Sequence, residues 1–141
     1  MKFSDFWAQI QALSVAKKFK TVLKNTDFIA CYYPGRLRKR TYDGFKQRDP
    51  PQWGVVVVWA GKGLNFAPKP GEPYLGPPTY RDDTWTTLKR EFEEVWERAK
   101  TIPLSMRWSP GQYINGRLSN NRTGSYIVSL EKYYLGDQKM E

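Results

Sequence analysis

The sequence predicts an α+β domain: two amphipathic helices packed on a mostly antiparallel sheet of about five or six strands. Three observations carry that expectation. Apolar residues at helical spacing open the chain. A second such stripe runs from Trp85 to Ala99. Short β-branched and aromatic runs, bounded by Gly, Pro and Asn, fill the intervals. Residues 1–141 read as one domain, because there is no internal repeat and a chain of 141 residues can bury a core of its own.

The first element is expected to be a helix over residues 3–24. Ser4 is placed to cap it and Asp5 suits its first turn. Phe6, Ile10 and Leu13 form the apolar stripe, which Phe3, Trp7, Phe19, Val22 and Leu23 widen. Lys17, Lys20 and Lys24 would then fall on one line of that helix, with Lys18 beside them. Residues 25–27 end it. Phe28 to Tyr33 reads as a buried strand, broken by Pro34-Gly35. Residues 36–48 are polar and basic without a clear period, and 49–52 mark a turn.

Trp53 to Trp59 contains four consecutive valines and reads as a central strand buried on both faces. A turn at 61–63 is expected to return the chain as a hairpin partner over 64–67. Five prolines and two glycines make 68–78 a surface loop. Asp83-Thr84 is expected to cap a second helix reaching about Lys100, with a charge-balanced outer face. Leu104–Trp108 is a short candidate strand. Residues 112–118 and 125–135 are expected to form a hairpin around 119–124, and the tail 136–141 to fray.

The net charge of +9 is unevenly spread. Residues 1–48 hold eleven Lys/Arg against three Asp, whereas residues 49–141 hold twelve Lys/Arg against eleven acids. Local basicity of this kind points to a polyanionic partner. Its densest part is residues 36–48, with six basic residues in thirteen and with Tyr42 and Phe45 between them. Lys and Arg neutralise phosphates and release counterions, and aromatic rings stack on unpaired bases. The expected nucleic-acid-binding residues are therefore Arg36, Arg38, Lys39, Arg40, Tyr42, Lys46 and Arg48. Lys17, Lys20 and Lys24 join them from the first helix. The same run also fits a solvated loop or a charged guard on a sheet edge, and the lysines also fit a helix C-terminus.

The chain has no histidine and one cysteine, Cys31. That excludes Ser-His and Cys-His nucleophile pairs, internal disulfides and nearly every zinc site. Cys31 reads as a small buried hydrophobe. No cofactor and no metal are expected. No segment has the length of a membrane span, and residues 1–13 lack the apolar run of a signal peptide, so an intracellular setting, in the cytoplasm, is expected. The expected partner is nucleic acid, DNA or RNA.

Two other function classes compete. A metal-dependent nuclease would need clustered carboxylates for Mg²⁺, while a metal-free ribonuclease using Lys, Arg and Tyr is compatible with the absence of histidine and has no motif to support it. Asp82-Asp83 are adjacent, with Asp43, Asp49 and Glu72 before them, but neighbouring residues rarely share one ion. The one acidic residue followed two later by lysine is Asp137, before Lys139, in the tail. A small protein-binding module or inhibitor, such as one carried by a virus or mobile element, would suit the six Trp and nine Tyr, which a packed core explains equally well.

Overall fold

The computed structural model describes residues 1–41, 44–47, 53–76, 78, 83–109 and 123–141, with 38–41 and 44–47 described by their backbone. The class is α+β, as expected. The elements in chain order are α1 (Phe3–Gln11), β1 (Lys17–Lys20), β2 (Asp27–Arg36), β3 (Arg38–Thr41), β4 (Gly44–Gln47), β5 (Trp53–Ala60), a 3₁₀ helix (Gly61–Phe66), β6 (Thr84–Thr87), α2 (Lys89–Ala99) and α3 (Gly124–Leu135). A four-stranded antiparallel sheet has the order β1-β2-β5-β6, and β3 and β4 form a separate two-stranded ribbon. The architecture therefore differs in number from the expected two helices and five or six strands.

β2 and β5 are central because their residues are apolar on both faces. On one face Phe28, Ala30, Val56 and Val58 meet α1, α2 and α3 in a core that contains Phe6, Ile10, Phe92 and Trp96. Phe6 stacks on Trp96 with ring centroids 5.3 Å apart. On the other face Ile29, Cys31, Val55, Val57 and Trp59 are covered by Leu64, Ala67 and Tyr74 from the segment after β5. The Pro/Gly-rich loop is thus the second cover of the sheet. It is tied down by the bonds Ala16 N to Glu72 O and Gly71 N to Ala16 O, both 2.8 Å.

Five expectations are corrected. The first helix ends at Gln11, not Lys24, because the Leu13 carbonyl accepts from Tyr32 N at 2.8 Å and the chain then pairs with β2. Lys17, Lys18, Phe19 and Lys20 take the register of Ala30, Ile29, Phe28 and Asp27. Residues 64–67 give no strand: they lie in the 3₁₀ helix and the residue after it, because the backbone of Asp83 passes Gly63 so closely that a Cβ there would sit 2.2 Å from the Asp83 carbonyl oxygen. The second helix begins at Lys89, because Thr84 to Thr87, three of them β-branched threonines, pair with β5 instead. Residues 125–135 are helix rather than strand, and Leu104–Trp108 is a turn.

Helix caps follow local chemistry. Asp5 and Glu91 each occupy the third helical position and accept from the backbone N–H just before the helix, Lys2 N at 3.2 Å and Leu88 N at 2.9 Å. Ser4 lies inside α1, and Asp83 instead accepts from Lys62 N at 3.2 Å. Glu91→Ala is expected to lower stability by about 0.5–1 kcal/mol in urea denaturation, by freeing the Leu88 N–H. The C-terminal tail is docked rather than frayed: Glu141 N donates to Met1 O at 2.9 Å and Met140 is buried. Arg107 and Trp108 also donate to the carbonyls of Gln138 and Gly136. Among the described residues no helix is long and apolar enough to cross a membrane.

Candidate nucleic-acid interface

The basic run of 36–48 folds largely as a ribbon. β2 pairs with β5 up to Tyr33↔Val55, shifts register around Pro34-Gly35, and resumes at Arg36↔Trp53. Leu37 then buries its side chain in the second core and anchors the exit of the chain. Beyond it, β3 and β4 pair antiparallel with Arg38↔Gln47, Lys39↔Lys46, Arg40↔Phe45 and Thr41↔Gly44. Four of these eight paired positions are basic and none is acidic. Lys39 and Lys46 are direct cross-strand partners, an arrangement that costs stability unless an anion screens it. Arg38, Lys39, Arg40 and Lys46 are thereby gathered on one ribbon. Tyr42 and Arg48 lie outside the described residues.

At the root of the ribbon the Arg36 guanidinium stands 6.0 Å from the centroid of the Trp53 ring. Trp53 is 65% exposed, whereas Arg36 Nε is buried and has no hydrogen-bond partner among the described residues. The open indole is suited to stacking on a base. The sequence pattern places Trp53 in a strand and does not single it out as exposed. Its place at the first position of β5, before four valines, was the available signal. Tyr32 and Tyr33 are packed instead. Tyr32 meets Trp7 edge-on at 5.9 Å and covers Gly54, while Tyr33 lies against Gly35 and Gly76. Gly54 and Gly76 both have positive φ, and a Cβ on either would collide with these rings.

Lys17, Lys20 and Lys24 do not share a helix face. Lys17 and Lys20 are on the edge strand β1, and Lys24 is exposed in the turn after it. Lys17 Nζ bonds the Tyr133 hydroxyl and lies 4.5 Å from that ring's centroid. Lys20 and Lys18 approach Asp27 at 2.8 Å and 3.9 Å, and the Lys20 hydrogen bond holds the Asp27 carboxyl below its ordinary range. Lys17 opposes Ala30, eight residues before Arg38 in the chain, and the two basic groups lie on different sheets.

Among the described residues no three His, Cys, Asp or Glu side chains cluster as metal ligands. Glu72 accepts from Lys69 N at 3.4 Å, which makes it part of a turn. Arg107 is buried and donates to the Gln138 carbonyl in the tail, and burial lowers its pKa. The Cys31 thiol is buried, lies 3.5 Å from the Leu13 carbonyl oxygen, and is pushed up by that burial. It is a core residue. Arg81, Arg117, Arg122, Asp43, Asp49 and Asp82 lie outside the described residues. Comparison with protein-family models, with curated proteins and with solved structures finds no match to this chain.

Proposed function

We propose that this protein binds nucleic acid through the β3–β4 ribbon and the Arg36–Trp53 pair at its root. The observation that carries this reading is the register of the ribbon: four basic positions paired without a single acidic one, in the chain between β2 and β5. Paired strands hold cationic positions at fixed spacing, which lowers the entropy lost when they meet a phosphate backbone. A two-stranded ribbon also has the width that the major groove of a DNA duplex admits. The open Trp53 ring would suit an unpaired base equally, so both duplex and single strand are substrates to test.

A salt series on DNA and RNA, single- and double-stranded, tests the proposal. Log Kobs is expected to fall linearly with log salt, with a slope of about −3 to −4 if the ribbon neutralises about four phosphates. Affinity that does not change with salt would refute it. Cleavage of the labelled strands, in Mg²⁺ or in chelator, would mark the protein as a nuclease instead.

A further inference from the structure

The outer edge of β1 is open over a short, defined stretch. Thr21 N donates to Thr26 O at 2.9 Å, next to the pair Lys20↔Asp27. Thr21↔Thr26, Phe19↔Phe28 and Lys17↔Ala30 are therefore the hydrogen-bonded pairs of this antiparallel ladder. The backbone N–H and C=O of Lys18 and Lys20 consequently point away from β2, in a row with those of Ala16 and Val22. At one end of the row both groups of Ala16 are bonded, to Glu72 O and Gly71 N. At the other end Val22 N donates to the Ser129 hydroxyl at 3.0 Å, which ties the chain to α3. Between these two anchors the outward groups of Lys18 and Lys20 have no hydrogen-bond partner among the described residues. They lie along a cleft of about 520 Å³ whose other wall is α3, at Ser129, Lys132 and Tyr133. A groove between an open edge strand and a helix admits an extended peptide, which completes the missing ladder bonds.

The register assigns the side chains of β1 to two faces. Phe19 is buried on the α3 side, and Lys17 reaches the Tyr133 hydroxyl there. Lys18 and Lys20 point to the opposite face, beside Ile29 and Asp27. The two ammonium groups share the one Asp27 carboxylate, at 3.9 Å and 2.8 Å, so a positive charge is left over on that face. Both lysine side chains are more than half exposed. A second copy of this chain paired edge to edge about Phe19 would set Lys18 against Lys20, and the charges oppose it. A strand with acidic residues opposite Lys18 and Lys20 would instead form two cross-strand ion pairs. Its intervening residue, opposite Phe19, would turn toward α3, where Tyr133 keeps 53% of its surface open. An apolar side chain suits that position.

We infer that β1 accepts an extended acidic segment of a partner protein as a fifth strand of the sheet, with acidic residues two apart opposite Lys18 and Lys20 and an apolar residue between them. The edge is separate from the ribbon, and the inference does not rest on nucleic-acid binding there.

The test is a titration of the ¹⁵N-labelled full chain with a capped peptide, Thr-Glu-Val-Glu-Val-Glu-Thr. Amide shifts are expected to centre on residues 17–22 and 129–133. At saturation the Lys18 and Lys20 amides are expected to exchange with solvent about tenfold or more slowly. N-methylation of the three glutamates keeps the charge, removes the donors that face β1, and is expected to weaken binding about tenfold or more. N-methylation of the valines, whose N–H groups would point away from β1, is expected to leave affinity within a few-fold. The double variant Lys18→Glu, Lys20→Glu, with its fold checked by circular dichroism, is expected to lose about tenfold or more. Equal binding of the two N-methylated peptides would mean charge attraction without strand pairing and overturns the inference. So do unchanged exchange at Lys18 and Lys20, an unaffected double variant, or shifts centred on residues 38–47. Slowing of these two amides with protein concentration alone would assign the edge to a second copy, and displacement of the peptide by single-stranded DNA would assign it to nucleic acid; either result overturns the inference.

Discussion

Replacing Glu131 by Met is expected to raise the stability of this protein by about 1–3 kcal/mol at pH 7. Glu131 is fully buried in α3, on the stripe with Gly124, Ile127 and Leu135. Neither of its carboxylate oxygens has a hydrogen-bond partner among the described residues. Burial alone pushes its carboxyl well above the ordinary value of 4.5, and no neighbouring charge offsets that. The fold thus keeps this carboxyl protonated to higher pH than an ordinary glutamate, at the cost of an unsatisfied polar group. Methionine has similar length and fills the same space without a polar atom.

The sign of the pH dependence follows. Below the ordinary value of 4.5 the carboxyl is protonated in both folded and unfolded chains, so its protonation equilibrium carries no folding penalty. As pH rises, the unfolded chain releases the proton and the folded chain keeps it. Stability then falls by about 1.4 kcal/mol per pH unit until the folded carboxyl ionises, after which the loss is complete. Urea denaturation from pH 4 to pH 8 is expected to show this one-proton decline, and Glu131→Gln is expected to remove it. A wild-type slope that survives in Glu131→Gln would assign the titration to another group.

Reversing Arg38, Lys39 and Arg40 together to Glu is expected to weaken nucleic-acid binding by about 10²-fold or more near 0.15 M salt. The salt slope should shrink by about 3, since three phosphate contacts are lost. The comparison variant reverses Lys89, Arg90 and Arg98, which are exposed on α2 among Glu93, Glu94 and Glu97. It changes net charge equally and is expected to leave affinity within a few-fold, because that surface is already balanced. Equal losses in the two variants would mean that net charge, not the ribbon, carries binding. Circular dichroism and urea midpoints confirm that each variant is folded.

The elements legible in the sequence were those whose local pattern and tertiary role agree. The four valines of β5 demand an extended, doubly buried strand, and they are one. The prolines of 68–78 forbid helix, and the segment is loop. Phe92, Val95, Trp96 and Ala99 form the inner face of α2 as their spacing requires. The illegible elements were short or ambiguous in period. Lys17 to Lys20 is four residues long and fits a helix tail as well as an edge strand until β2 is present to pair with it. In α3, Tyr126, Val128 and Leu130 alternate with Ile127, Ser129 and Glu131 as a strand would, whereas the helix buries Ile127, Glu131 and Leu135 on one stripe.

For the candidate site the division is similar. Composition located the basic character in residues 1–48 and removed histidine chemistry before any geometry was known. By itself the sequence determined an α+β class, two central apolar strands and a concentration of positive charge around 36–48. Only the tertiary structure decided that this charge lies on a paired ribbon, that Tyr32 and Tyr33 are packed while Trp53 is open, and that Lys17 and Lys20 belong to a separate edge. The reason is one of range. Charge and hydrophobic period are properties of neighbouring residues, whereas strand pairing and ring burial depend on residues tens of positions away that no local pattern contains.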